Sequence, residues 1–239
     1  MKPQLILLPG MLCDRAYFEP QLAQLQSVAD VSVATYPSLC TITDMALSVL
    51  DAAPDRFAVA GHSMGGRVAQ EIVARSPDRV LGLGLFGTDY RGLQSEDERS
   101  AEEVRRRDWL ALIDEAGFEH FVEQWAPRLV APARRSDLGL LSRISEMARR
   151  FGREGLDAHC RAGLSRPDYS SLLGRIAVPT LVIAGSEDTV RPAQLHRSMA
   201  ARIRDARVAI IKGAGHMMSM EDPEAVNAQM LPWIASLAR

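Results

Sequence analysis

Three side chains in this sequence have the types needed for acyl chemistry: Ser63 in Gly61-His62-Ser63-Met64-Gly65, Asp188 after Gly185-Ser186-Glu187, and His216 after Gly213-Ala214-Gly215. A serine hydroxyl is a poor nucleophile at neutral pH and needs an adjacent base. Imidazole suits that task, because its unperturbed pKa of about 6.5 lets it take a proton and return it. A carboxylate on the far ring nitrogen then fixes the tautomer and stabilises the imidazolium. Of the five histidines, His62 adjoins the serine, so its side chain should point elsewhere. His120 and His159 fall in a charge-rich helical stretch and His196 in a predicted helix, where structural or surface roles are expected. His216 is therefore the expected base. Asp188 is the first choice for the carboxylate, with Glu187 and Asp89 as rivals, although an aspartate at that point is also a common turn or cap residue.

Oxyanion stabilisation requires backbone N–H groups aimed at the developing charge. The expected donors are Met64, directly after the serine, and Met11, in the loop Pro9-Gly10-Met11-Leu12. Leu12 and Met217 are expected to line an apolar pocket wall, together with Met11, Met64 and Met218.

These residues must be held by a scaffold, and the sequence describes one. Leu5–Leu8, Val31–Ala34, Phe57–Ala60, Val80–Phe86, Thr180–Ala184 and Val208–Ile211 are short apolar runs of strand character. Helical periodicity lies between most of them, over Arg15–Ser27, Thr41–Ala53, Met64–Arg75 and Pro192–Ile203. A last helix should start at Pro223, capped by Asp222, and should end or kink at Pro232. This alternation predicts a parallel sheet covered on both faces. Ser63 then sits at a sharp strand-to-helix turn, with Gly61 and Gly65 removing the side chains that would block it.

The alternation breaks between Thr88 and Leu173, a span too long for a loop in a compact domain. Its charge-rich stretches Glu96–Arg107 and Leu138–Arg150, with anchors Trp109, Phe121, Trp125 and Phe151, predict a helical insertion over the carboxyl edge of the sheet. The expected division is a core of residues 1–88 and 172–239 and a lid of residues 89–171.

Bulk properties narrow the partners. A formal net charge of −2 offers no electrostatic footprint for nucleic acid. Cys13, Cys40 and Cys160 form neither a disulfide framework nor a zinc motif, so reduced thiols and no bound metal are expected. The four apolar residues before Pro9-Gly10 are too few for a signal peptide or membrane anchor, which predicts a cytoplasmic protein without membrane attachment. Oligomeric state is left open.

The segments Pro9-Gly10-Met11, Gly61-His62-Ser63-Met64-Gly65-Gly66, Gly185-Ser186-Glu187-Asp188 and Gly213-Ala214-Gly215-His216, in this order, resemble those of the α/β-hydrolase superfamily. The resemblance implies a mostly parallel sheet of about six strands, trimmed by two leading strands, with helices on both faces and a helical lid. Within the superfamily the chain is most similar to the lid-bearing esterase, enol-lactonase and C–C-bond hydrolase group. It departs from them at Pro9-Gly10, where His-Gly is common. Serine at position 63 separates it from haloalkane dehalogenases and epoxide hydrolases, whose nucleophile is aspartate. The implied activity is cofactor-free hydrolysis of an ester, thioester or lactone of a small organic acid through an acyl-enzyme on Ser63, with water as acceptor. The same constellation also serves acyltransferases, C–C hydrolases, peptidases and cofactor-free haloperoxidases, and a non-catalytic ligand-binding receptor stays open beside them. The arginines of the insertion suggest an anionic substrate, but residues 91–166 hold 14 Arg and 14 Asp plus Glu, which a balanced, salt-bridged surface explains equally well.

Overall fold

In a computed structural model, which describes residues 2–36 and 38–237, the strands are β1 (Gln4–Leu8), β2 (Asp30–Val33), β3 (Phe57–His62), β4 (Val80–Phe86), β5 (Thr180–Gly185) and β6 (Ala206–Ile211). Among the described residues they form one sheet in the order β2-β1-β3-β4-β5-β6, parallel at every pairing. The outer limits expected for the core, residues 1 and 239, lie outside the described residues.

Side chains alternate across the sheet, as the pleat demands. Leu5, Leu7, Ala58, Ala60, Leu181 and Ile183 face one apolar cluster, while Ile6, Leu8, Phe57, Val59 and Val182 face the other. The first cluster is closed by α1 (Arg15–Val28), the short α9 (Met218–Glu221) and α10 (Pro223–Ser236), the second by α2 (Ile42–Ala52), α3 (Met64–Arg75) and α8 (Ala193–Ala200). The strands are apolar on both sides because both faces are covered.

Between β4 and β5 the chain forms α4 (Glu96–Ala116), α5 (Phe118–Trp125), α6 (Leu138–Arg149) and α7 (Gly152–Leu164). Residue patterning signalled parts of α4 and α6 but not α5 or α7. Ile113, Phe121, Val122, Trp125, Ile144 and Met147 from this insertion belong to the same cluster as the inner residues of α1 and α10. The insertion is thus packed onto the core by a shared apolar interior.

Asp222 caps α10 by accepting the Ala225 N–H at 3.0 Å, as anticipated, and of the two outcomes expected at Pro232, an end or a kink, the end is excluded, since the helix runs on to Ser236. An interior proline costs about 3 kcal/mol. Burial of Trp233 and Ile234 just beyond it, at about 1.5–3 kcal/mol for a large apolar side chain, offsets that cost. The Trp233 indole N–H also donates to the Pro179 carbonyl at 3.1 Å. No helix among the described residues is long and apolar enough to cross a membrane.

The sheet order places the topological switch between β1 and β3, whose carboxyl ends open the crevice in which open α/β sheets bind ligands. The loop after β1 carries Met11, and the turn after β3 carries Ser63.

Candidate active site

Ser63 occupies the turn from β3 into α3 at φ 52° and ψ −113°, outside the conformations L-residues adopt freely. Such strain costs of order 1–3 kcal/mol and persists only where the surroundings impose it. Here the Ser63 N–H donates to the Phe86 carbonyl at 2.8 Å, and the Thr88 hydroxyl donates to the Ser63 carbonyl at 2.7 Å. Two glycines make the turn possible. A Cβ on Gly61 would sit 2.1 Å from the Gly65 carbonyl oxygen, and one on Gly65 would sit 2.1 Å from the Leu8 carbonyl oxygen.

The three residues picked out by chemistry meet. His216 Nε2 lies 3.0 Å from Ser63 Oγ, and His216 Nδ1 lies 2.8 Å from Asp188 Oδ2. Asp188 and His216 are each 4% exposed, so the pair is shielded from bulk water. The second oxygen of Asp188 accepts the N–H groups of Val190 and Arg191, both at 2.8 Å. The turn role and the histidine contact are thus filled by one carboxylate. Burial opposes its charge, but His216 and those two N–H groups outweigh it and hold the carboxyl below the ordinary range.

Neither rival carboxylate reaches His216. Glu187 is exposed and accepts from the Ser186 hydroxyl. Asp89 is bound by Arg91 through its backbone N–H, Nε and Nη2.

The loop after β1 is fixed from three sides. The Tyr36 hydroxyl donates to the Pro9 carbonyl at 2.6 Å, the Cys13 N–H donates to the Gly10 carbonyl at 3.1 Å, and the Leu12 N–H donates to His159 Nδ1 at 3.1 Å. Leu12 itself has φ 53°, a second non-glycine residue in the left-handed region. Among the described residues, neither the Met11 N–H nor the Met64 N–H donates to a backbone carbonyl. Both methionines border the cavity that opens on Ser63.

A model of the alpha/beta hydrolase family matches residues 6–229 of the chain. The protein is an α/β-hydrolase. It is 27% identical to a putative carbamate hydrolase, RutD, of Escherichia coli O139:H28, across 98% of this chain and 92% of that protein. Among solved structures it resembles a thermophilic esterase from Thermogutta terrifontis, solved with malate bound, at TM-score 0.85 and 27% identity over 100% of this chain and 92% of that one. The enol-lactonase of Burkholderia xenovorans LB400 shares the fold at TM-score 0.82 and 22% identity, over 98% and 92% of the two chains.

The cavity of this hydrolase is about 330 Å³ and is walled by Met11, Met64, Trp109, Trp125, Leu129 and Met217, with Ser63 and His216 at its floor. Met217 is where the sequence suggested, but Leu12 is not. Its left-handed backbone turns the side chain into the core, where it is 0% exposed among apolar neighbours. Met218 likewise is fully buried and does not border the cavity. Cys13 does border it, yet burial pushes its thiol well above the ordinary range, which makes it a weak competing nucleophile. Among the described residues no group of three or more His, Cys, Asp or Glu is placed to hold a metal ion.

Several supporting residues carried no sequence signal. His62 turns away from the Ser63 hydroxyl, as expected, but its Nε2–H donates to the His216 carbonyl at 3.0 Å while the ring stacks on Tyr17 with centroids 4.0 Å apart. Burial keeps His62 neutral by driving its pKa well down. The His216 and Met217 N–H groups both donate to the Leu129 carbonyl of the insertion, at 2.8 and 3.2 Å. Glu221 bridges the same two segments, accepting from Gly215 at 3.0 Å and from Ala131 at 2.8 Å. The insertion therefore buttresses the histidine loop as well as roofing the cavity. His159, read from sequence as structural or surface, is buried and faces the loop that carries Met11.

Proposed function

We propose that the protein is a serine hydrolase that cleaves an ester, thioester or lactone of a small organic acid through an acyl-enzyme on Ser63. The observation that supports this most directly is the unbroken chain from Asp188 through His216 to Ser63, at 2.8 and 3.0 Å, ending in a cavity of molecular size.

In this mechanism His216 Nε2 takes the Ser63 proton as Oγ attacks the substrate carbonyl. The carbonyl π electrons move onto oxygen, and the N–H groups of Met11 and Met64 hold the oxyanion. Collapse of the tetrahedral intermediate breaks the bond to the leaving group, which receives the proton from His216. The acyl group remains on Ser63. Water then gives its proton to His216, attacks the acyl carbonyl, and releases the acid as the proton returns to Ser63. Asp188 stays ionised throughout, holding Nδ1–H so that Nε2 is the basic nitrogen. Helices α4–α7 act as a lid that excludes bulk water, which strengthens these interactions.

The test is covalent. A fluorophosphonate probe is expected to leave one adduct on Ser63, read by intact mass and peptide mapping, and Ser63→Ala is expected to abolish both the adduct and ester turnover. A folded protein with no adduct on Ser63 would refute the proposal.

A further inference from the structure

The equal numbers of acids and arginines in the insertion conceal an unequal distribution in space. Six arginines border the cavity above Ser63, Arg105, Arg106, Arg128 and Arg166 from the insertion and Arg67 and Arg191 from the core, and among the described residues no carboxylate does. Several outward arginines of the insertion are individually matched, Arg149 with Glu119, Arg150 with Asp14 and Arg153 with Asp114, and others such as Arg107, Arg135 and Arg143 are exposed to water. At the cavity, where Arg67 and Arg191 of the core join those of the insertion, carboxylates are fewer than arginines. Glu102 alone serves Arg105, Arg106 and, at 3.7 Å, Arg166. Asp89 is held by Arg91 at 3.0 Å and reaches Arg67 only at 3.9 Å. Arg191 has no carboxylate within ion-pair distance among the described residues, and its Nη1 donates to the carbonyl of Val190. Arg166 Nε is buried with no hydrogen-bond partner.

Cations held out of water without matching anions are costly, by several kcal/mol per ion even after relaxation. Three of the six are well removed from water, for the side chains of Arg67, Arg106 and Arg166 are 5%, 12% and 13% exposed. Burial first, and then repulsion from Arg191, lowers Arg67 to about 9 and Arg166 to about 10, so both stay charged at neutral pH and repel across the cavity. A fold retains such a cluster without loss only if a ligand supplies the missing negative charge. The position suits an acyl substrate. Ser63, in the turn into α3, and Arg67, in the first turn of that helix, border the same cavity. A guanidinium fork matches a carboxylate or phosphate with two parallel hydrogen bonds.

We infer that the cavity is an anion-recognising acyl site: its substrates carry a carboxylate or phosphate group besides the carbonyl attacked by Ser63, and Arg67, Arg166 and Arg191 bind that group. The inference rests on Ser63 as nucleophile for the turnover part, but binding can be measured without it.

In Ser63→Ala, titration calorimetry with succinate and with inorganic phosphate should give saturable binding to at least one of the two, with succinamide silent at the same concentrations. Binding to phosphate alone or succinate alone supports the inference and identifies the anion. Binding of neither, or equal binding of succinamide, overturns it. In the unmodified enzyme, kcat/KM for ethyl hydrogen succinate, or for the corresponding phosphate-bearing ester, should exceed that for ethyl pentanoate by about 10- to 100-fold, the value of one charge-assisted pair. Arg191→Gln and Arg166→Gln should each shrink that ratio severalfold. Equal kcat/KM for charged and uncharged esters, with Ser63 still labelled by fluorophosphonate, overturns the anion site while leaving the nucleophile intact. Loss of labelling with succinate binding retained in Ser63→Ala has the opposite meaning.

Discussion

Replacing His159 by Leu tests whether the insertion controls the loop that carries Met11, the oxyanion donor in the proposed mechanism. The Leu12 N–H donates to His159 Nδ1 at 3.1 Å, and Leu12 is held at φ 53°. With no acceptor, a buried N–H costs about 1–3 kcal/mol. Releasing Leu12 from the left-handed region returns about 1–2 kcal/mol. Together these favour departure from the native loop by about 2–5 kcal/mol. Opposing them is the burial of the Leu12 side chain, about 1.5–3 kcal/mol, with the Tyr36 and Cys13 hydrogen bonds behind it. The balance lies near zero or slightly towards departure, so the loop should spend much of its time with the Met11 N–H misdirected. Loss of one oxyanion donor sets a ceiling of about 10²–10³ on the effect. We therefore expect kcat to fall about 10- to 100-fold. Because the oxyanion exists only beyond the ground state, kcat/KM should fall equally and KM should stay put. His159→Gln, which restores an acceptor, should recover much of the rate. Steady-state kinetics on an ester the enzyme turns over, beside circular dichroism to establish folding, decide the matter. A folded His159→Leu with kcat within twofold of the parent refutes the reasoning.

The same histidine makes stability pH-dependent. Burial lowers it from 6.5 to about 4, against the carbonyl of Tyr36, which favours the charged ring. Between those values the unfolded chain binds the extra proton, so stability should be lost as pH falls from about 6.5 to 4, by of order 3 kcal/mol from this group. Urea melts at pH 7 and pH 4.5 should show that loss reduced in His159→Leu, although His62 and His196, also lowered by burial, add to the parent's slope. Asp188→Asn should keep the turn, since an amide oxygen still accepts the Val190 and Arg191 N–H groups. It should nonetheless cut kcat by about 10⁴ through the wrong histidine tautomer; a loss below tenfold contradicts the assignment. Gly65→Ala forces a Cβ to within 2.1 Å of the Leu8 carbonyl oxygen. Overpacking at the upper end of its range, about 3 kcal/mol, should lower Tm by about 6–12 °C, and an unchanged melting curve disproves the tight approach.

Much of the fold and of the candidate site was legible in the sequence. The strands were visible because a sheet buried on both faces needs continuous apolar runs, and Gly, Pro and charged residues mark where those runs stop. Ser63 was recognisable because its turn excludes side chains at two fixed spacings, and Asp188 and His216 because each follows a strand directly. The helices α5 and α7 were not, and the sequence left open whether α10 ends or kinks at Pro232, since packing decides these and local propensity speaks weakly or against.

By itself the sequence determined which chemistry is available and on which edge of the sheet it stands, because both depend on residue type and on short-range spacing. Only the tertiary structure decided what surrounds that chemistry. The Leu12–His159 bond joins residues 147 positions apart, and no local pattern encodes such a partner. The equal tally of acids and arginines in the insertion says nothing about which face of each helix turns inward. Folding turns Arg106 and Arg166 inward to border the cavity over Ser63 and leaves pairs such as Arg149 with Glu119 on the surface.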